Sequence, residues 1–278
     1  SLRFFSLGEV FLSDMEDMTI NPYEFAIDAG YSRMLSERFS MAVNMRFIFS
    51  DIRYDYTAES SAGKAFAADI AMYRLGYFMM GSRECSFAWG LNINNIGSKI
   101  SYGGDDNAEF IPTNLRLGLN MTVPFNEYNK FSVAVDANKL LVPTYPKQDT
   151  ENGETDNDYT DRVQKDYYDV SPIAGIFKSF YDAPNGFKEE MQEIQWSVGC
   201  EYTYNDRFML RGGYHHEAAN KGNRKYFTVG AGFHMSVFTV DASYVFSTSQ
   251  TNPLDQTMRF SLGFDLDGMR DLFGKRRR

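Results

Sequence analysis

Asn114-Leu115-Arg116-Leu117-Gly118-Leu119-Asn120-Met121-Thr122-Val123 decides the fold. Leu115, Leu117, Leu119, Met121 and Val123 fall on one side of an extended chain. Asn114, Arg116, Gly118, Asn120 and Thr122 fall on the other, because successive side chains of a strand point to opposite faces. The pattern recurs at 194–204, where Ile194, Trp196, Val198, Cys200, Tyr202 and Tyr204 alternate with Gln195, Ser197, Gly199, Glu201 and Thr203. It recurs again at 258–266, with Phe260, Leu262, Phe264 and Leu266 against Arg259, Ser261, Gly263 and Asp265.

Working outward from these, twelve segments read as strands: 2–12, 23–34, 39–50, 65–78, 85–94, 112–123, 130–138, 194–204, 207–216, 225–235, 237–247 and 257–266. Many run about ten residues, the length a tilted strand needs to cross a bilayer. Their connections alternate. Those at 35–38, 79–84, 124–129, 205–206 and 236 are short, and those at 13–22, 51–64, 95–111, 139–193, 217–224 and 248–256 are long. Up-and-down membrane barrels keep that rhythm, with short periplasmic turns and longer extracellular loops. The fold class is therefore all-β, a transmembrane up-and-down antiparallel β-barrel. Long loops are expected outside the cell and both termini in the periplasm. No secretory leader opens the chain, so an N-terminal portion with further strands is expected upstream. The expected division is a barrel over 1–267, lacking its N-terminal part and carrying the long extracellular loop 139–193, and a basic periplasmic tail at 268–278.

Composition agrees. Aromatics are 16% of the 278 residues, suited to strands. Mean hydropathy is −0.41 and no stretch approaches 18 apolar residues, which excludes a helical membrane protein but not a barrel. The net charge of −9 argues against nucleic acid as a partner. Cys85, read as sitting at a turn, and Cys200, read as lipid-facing, are too few for a disulfide framework.

The two faces differ in kind. One carries Asp28, Arg46, Asp69, Arg116, Asp136, Glu201, Arg211, Asp241 and Arg259. An Arg or Lys on the lipid face at mid-depth costs roughly 2–4 kcal/mol, so these charges are expected to line the lumen. A salt-bridged interior that fixes shape is preferred to a substrate path. Aromatics gather near strand ends, with Tyr202, Tyr204, Phe208, Phe233, Phe238 and Phe264 toward one interface and Trp196, Tyr214, Tyr244 and Phe246 toward the other. Interfacial girdles look like this.

In the 139–193 loop, the acid-rich stretch 149–169 reads as solvated and mobile. Ile173 to Met191 is more apolar, Pro184-Asn185-Gly186 marks a turn, and Phe187 to Glu193 can form one short helix. Apolar residues there suggest a cover for the barrel mouth or a docking surface.

Catalytic motifs are weak. His216-Glu217-Ala218-Ala219-Asn220 has Asn where a zinc protease needs its second His, and it lies at a strand end. Asp265-Leu266-Asp267-Gly268 lacks calcium-loop spacing and the final Glu. A Ser/His hydrolase would need a serine within hydrogen-bond reach of the inward His215. No catalytic residue, metal or cofactor is assigned.

Several longer stretches carry a resemblance: Asn220–Phe233 (NKGNRKYFTVGAGF), Asn252–Ser261 (NPLDQTMRFS), Phe180–Pro184 (FYDAP), Asn138–Thr144 (NKLLVPT), Asn95–Gly97, Ile111–Arg116 (IPTNLR) and, more weakly, Asn21–Ala26. In this order they resemble the PorV family, outer-membrane proteins of the type IX secretion system of Bacteroidetes. The resemblance spans nearly the whole chain, except for 149–169 and the tail. It implies a FadL-like barrel of fourteen strands when complete, of which twelve are read here. It also implies no enzymatic role. The implied part is a carrier that binds the C-terminal domain of secreted cargo leaving the SprA/Sov translocon and delivers it to the PorU sortase attachment complex. Outer-membrane lipid or lipopolysaccharide is the surrounding partner. Contact candidates on the loops are Phe180, Tyr181, Asn220, Arg224, Asn252 and Pro253, where Pro253 and Asn252 equally suit a turn and Arg224 a pair with a neighbouring loop. The alternative is a FadL-like channel for hydrophobic small molecules, which needs an apolar lumen.

Overall fold

Antiparallel neighbours, joined alternately by short turns and long connections, make up the sheet. A computed structural model describes the chain except residues 7, 13–17, 53–60, 104–107, 150–152, 236, 249–254, 267 and 269–278. Its strands are β1 (Leu2–Ser6), β2 (Val10–Leu12), β3 (Met18–Ile20), β4 (Tyr23–Ser36), β5 (Phe39–Asp51), β6 (Gly63–Met80), β7 (Arg83–Gly97), β8 (Asn114–Pro124), β9 (Asn129–Leu140), β10 (Gln195–Tyr204), β11 (Phe208–His216), β12 (Lys225–His234), β13 (Phe238–Ser247) and β14 (Met258–Phe264). Twelve form one sheet in the order β1-β4-β5-β6-β7-β8-β9-β10-β11-β12-β13-β14, and β2 pairs only with β3. Each strand of the large sheet lies beside its neighbour in sequence, as an up-and-down meander requires. Among the described residues β1 and β14 are not paired with each other, so the sheet is not closed on itself.

All twelve expected segments become strands of this sheet, with one correction. The expected strand 2–12 is broken: β1 stops at Ser6, Gly8 takes φ +74°, and residues 10–12 turn away to pair with β3. Glycine alone adopts that conformation without strain. A second correction concerns Cys85, which is not in a turn but is the third residue of β7 and fully buried. Cys200 is exposed on β10, and both thiols are free.

The turn between β10 and β11 shows why the short connections stay short. Asn205 and Asp206 have φ of 52° and 53°. Positive φ at both central positions lets the chain reverse between Tyr204 and Arg207, whose amide donates to the Tyr204 carbonyl at 3.0 Å, and Asn and Asp tolerate it best after Gly. Register then follows. Across β10 and β11, Val198 faces Tyr214 and Tyr202 faces Leu210, while Ser197 faces His215 and Glu201 faces Arg211. Across β4 and β5, Phe25 faces Phe49 and Ile27 faces Phe47, while Asp28 faces Arg46 and Gly30 faces Asn44.

One face is thus apolar and the other polar, but the apolar face is the bare one. Met45, Leu210 and Phe260 are 68%, 62% and 71% exposed. In water that is the wrong way round, and extended apolar surfaces of this kind mark contact with another apolar phase. No helix among the described residues is long and apolar enough to cross a membrane; crossing by strands is a separate matter.

The chain divides into two compact units. The first comprises 1–72, 91–116 and 139–191, and the second 73–90, 117–138 and 192–278. In the first, Ala65, Ala67 and Ile111 form a small buried cluster with Ile48 and Ile100 against it. Gly97 permits this packing, since a Cβ there would lie 2.1 Å from the Phe66 carbonyl oxygen. The first unit also carries helices α1 (Asp156–Val163), α2 (Pro172–Lys178) and most of α3 (Phe187–Gln192), with a π-helical turn at Gln164–Tyr168 following α1. In the second unit aromatic pairs lie near the strand ends: Phe208 and Phe233 rings are 4.7 Å apart, Tyr214 and Phe227 also 4.7 Å, and Tyr244 and Phe246 4.6 Å.

The acid-rich stretch departs from the expectation of a mobile segment. Thr155 caps α1 by accepting from the Asp158 amide, and two acids occupy the first turn, where the helix dipole favours them. Arg162 Nε donates to Glu154 at 2.7 Å and its guanidinium also reaches the Lys147 carbonyl. The Arg162 guanidinium and the Asp149 amide, which donates at 2.7 Å, hold the Glu154 carboxyl down to about pKa 2. Local caps and one ion pair outweigh the like-charge repulsion that composition emphasised.

Candidate functional site

The charged face comes first, because its residues are the most constrained. In the first unit Arg46 sits between two carboxylates, with Nε 2.6 Å from Asp28 Oδ1 and a terminal nitrogen 3.0 Å from Asp69 Oδ2. Asn44 donates to both acids at 3.1 Å, and Asn95 accepts from Arg46 while its own amide donates to Asp69 at 2.8 Å. Asn95 takes φ 57° to do so. In the second unit Arg211 plays the same part, 2.6 Å from Glu201 Oε2 and 2.5 Å from Asp241 Oδ1. Arg46 thus bridges acids on the two neighbouring strands, whereas Arg211 bridges one on β10 and one on β13, reaching over Gly232 of β12. Asp136 lies over Gly118, where a Cβ would come within 2.5 Å of its Oδ1. Arg116 and Arg259 are both exposed.

A cleft of about 620 Å³ opens on this face in the second unit, lined by Asn120, Asp136, Ser197, Glu201, Arg211 and His215 among others. Ser197 Oγ and His215 Nδ1 are 3.0 Å apart, so the serine that sequence could not place is within reach of the histidine. Two features set the pair apart from a hydrolase centre. A base needs an orienting partner, yet the nearby carboxylate, Glu217, is occupied by Arg224 and Gln195. An oxyanion needs free backbone donors, yet β10 is paired on both sides, with β9 and β11. The pair is a satisfied cross-strand hydrogen bond, with the His215 ring stacked on Tyr226 at 4.8 Å. Among the described residues no group of His, Cys, Asp and Glu is arranged to hold a metal ion.

The long loops carry the other candidates. In the second unit, residues 217–224 wrap around Glu217, which is 3% exposed. Arg224 Nε donates to it at 2.7 Å and its terminal nitrogen at 2.8 Å, the Arg224 amide adds a third bond, and Gln195 a fourth. These donors hold the Glu217 carboxyl below its ordinary range. Gly222, at φ 122°, leaves room for the carboxylate, since a Cβ would lie 2.5 Å from it. Arg224 thus pairs within its own loop, not with a neighbouring one, and still leaves half of its side chain exposed. Asn220 donates to Gln192 at 2.8 Å, and Lys221 pairs with Glu193 at 2.9 Å.

In the first unit Lys99, Glu109 and Phe110 pack against Tyr167 and Tyr168. Glu109 accepts from Tyr167 at 2.9 Å and Tyr168 at 3.1 Å. Lys99 donates to both tyrosine carbonyls and lies 4.1 Å over the Phe110 ring. Burial and the Glu109 carboxylate push the Tyr168 phenol up to about 12, and burial draws Lys99 below its usual value. Asp182 accepts from Thr144, and Lys139 pairs with Glu190 at 2.9 Å with both side chains buried. Phe180 and Tyr181 project from this scaffold, 47% and 74% exposed. Asn252 and Pro253 lie outside the described residues, as does the basic tail from 269 onward.

Of the sequence candidates, the structure brings Asp28, Arg46 and Asp69 into one cluster and Glu201, Arg211 and Asp241 into another. Phe180 and Tyr181 lie together in the first unit, and Asn220 and Arg224 in the second. Missed by sequence were Glu217, Lys139, Glu190 and Ser197. Only the Glu217…Gly222…Arg224 spacing offered a signal, a carboxylate and a guanidinium closing one short loop around a glycine.

Comparison with known proteins follows from this geometry. Outer membrane phospholipase A from Escherichia coli is similar in structure at 9% identity, covering 87% of this chain and 82% of that chain, with a TM-score of 0.32; at that level nothing about activity follows. No curated protein matches. The family model for PorV, described as a type IX secretion system protein, matches residues 1–147. That is more than half of the 278 residues, and the chain belongs to the PorV family of type IX secretion system proteins.

Proposed function

We propose that this secretion-system component is a non-enzymatic outer-membrane carrier. Its loops bind the C-terminal domain of secreted cargo and pass it from the SprA/Sov translocon to the PorU sortase attachment complex, with the long loops extracellular and the termini periplasmic. The observation that carries this reading is the contrast between the two kinds of connection. The short turns are minimal, whereas the long connections are internally bonded where they are described, around Glu217 in one and around Lys139 and Glu190 in another. A preorganised loop surface binds without the entropy cost of ordering itself first. In the first unit Phe180 and Tyr181 offer aromatic anchors, the residue type most enriched in binding hot spots together with arginine, and in the second Arg224 offers an exposed guanidinium. Asn220, Asn252 and Pro253 complete the candidate set. The charged residues, read as facing the lumen, serve as cross-strand ties. A FadL-like path for hydrophobic molecules is disfavoured, because the polar face presents Arg46 and Arg211 clusters where an apolar lining is required.

Full-length protein carrying an affinity tag, isolated from cells in mild detergent, is expected to bring down translocon, sortase subunits or cargo C-terminal domains. Recovery of none of the three contradicts the carrier reading. Replacing 218–223 by a two-residue turn, with folding checked by heat-modifiable gel mobility, is expected to lower cargo recovery severalfold. Unchanged recovery removes that loop from the docking surface.

A further inference from the structure

Helix α3 is built inside out. Its two carboxylates, Glu189 and Glu190, are 8% and 6% exposed, whereas Phe187 and Met191 are 80% and 43% exposed. The carboxylates turn inward because they have partners there. Glu189 accepts from the Asn185 amide and side chain, and Glu190 accepts from the Ala183 amide and from Lys139. Phe187 and Met191 are four residues apart, so they share one face of the helix. Helix α2 also bares apolar side chains: Ile173 and Phe177, again four apart, are 55% and 66% exposed, while the small Gly175 and the C-cap Ser179 are buried. A helix in water buries its apolar stripe and shows its charges. A short helix that does the opposite, beside one that bares an apolar pair, is suited to an apolar phase.

Lys139 tells which phase. Along β9 it has the parity of Val133, Val135 and Ala137, whose register partners Cys200, Val198 and Trp196 belong to the apolar face of the sheet. Lys139 is therefore on the lipid side of the strand, one step beyond the last apolar pair, and Glu190 of α3 covers it there. Glu190 thus reaches Lys139 from the apolar side of that strand end, which puts α3 on that side of Lys139.

We propose that the exposed face of α2 and α3, centred on Phe187, Met191 and Phe177, is immersed in the outer leaflet of the outer membrane, anchoring the 139–193 loop at the bilayer interface. Lys188, next to Phe187, can bury its methylenes in this layer and extend its ammonium to the headgroup phosphates. An aromatic ring and a thioether enter the boundary between headgroups and acyl chains, where such side chains are favoured. The anchor fixes the height of the neighbouring loop surface above the membrane.

Spin labelling tests this. On a Cys200→Ser background, with Cys85 buried, single Phe187→Cys, Met191→Cys and Phe177→Cys variants of the full chain are labelled and reconstituted in dioleoylphosphatidylcholine vesicles. Asp156→Cys on α1 serves as the aqueous control. Collision rates with oxygen, which concentrates in lipid, and with a water-soluble nickel chelate are compared. Oxygen is expected to dominate at 187, 191 and 177, and nickel at 156. Nickel dominance at 187 and 191 overturns the proposal in favour of bulk water. Low accessibility to both reagents overturns it in favour of a covering protein surface, whether a partner or a second copy. A variant that loses heat-modifiable mobility is replaced by Lys188→Cys, whose label is expected to report the interface with both reagents measurable, and nickel alone there overturns the proposal equally.

Discussion

Arg46→Leu is expected to lower the unfolding free energy by about 3–5 kcal/mol, the cost of leaving buried carboxylates without their counter-ion. Asp28 and Asp69 have side chains only 6% and 14% exposed, and Arg46 bridges them across three strands. Its removal leaves two facing acids with only neutral donors close by, chiefly Asn44 and the Asn95 amide, and a more distant Arg3 at 3.6 Å from Asp28. Replacing all three charges together, as Arg46→Leu with Asp28→Asn and Asp69→Asn, is expected to restore most of the loss, since the penalty belongs to the unpaired charge and not to the missing bond. Urea unfolding in lipid vesicles followed by tryptophan fluorescence reads both. Equal loss in the single and the triple variant contradicts the tie-rod role assigned to this cluster.

The second large effect concerns the opposite face. Leu119 is at the centre of β8 and 42% exposed on the apolar side, while Asn120, the next residue, lines the polar cleft. Leu119→Arg is expected to cost about 2–4 kcal/mol, the cost of a guanidinium at mid-bilayer on a barrel's lipid face. Asn120→Arg is expected to cost less than about 1 kcal/mol, because its side chain meets polar groups and the Asp136 carboxylate on the same face. Neighbouring residues in one strand thus respond differently because they face different solvents. Equal cost at 119 and 120, measured in the same vesicles, would mean that both faces are covered alike.

How far the sequence could be read follows from which forces act locally. The strands were legible, because alternation is a property of the strand itself and survives at β8, β10 and β14 without knowledge of any partner. The pairing of Asp28 with Arg46 was legible as a shared face but not as a bond, because register depends on where the β4–β5 turn closes. Ser197 and His215 are adjacent only through the β10–β11 register, which the Asn205-Asp206 turn sets. The break at Gly8 had one sequence signal, the glycine itself ahead of Glu9, and that was not decisive because an isolated glycine can also sit within a continuous strand. Loop structure was least legible. The acid-rich stretch resembles a solvated tether by composition, while a cap at Thr155 and the Glu154–Arg162 pair make it a helix. The candidates Phe180 and Tyr181 were found because aromatic residues in a loop are conspicuous. Glu217 and Glu190 were not, because a buried carboxylate in a loop looks like any surface acid until its donors are in place.

The two-solvent reading of β8 can be tested on the unaltered chain. A hydrophobic carbene precursor dissolved in the bilayer is photolysed around the reconstituted protein, and adducts are mapped residue by residue by mass spectrometry. Adducts are predicted on Leu117, Leu119 and Met121 and not on Arg116, Gly118, Asn120 or Thr122. Labelling of consecutive residues alike, or of none, would contradict the assignment of hydrocarbon to one side of the sheet.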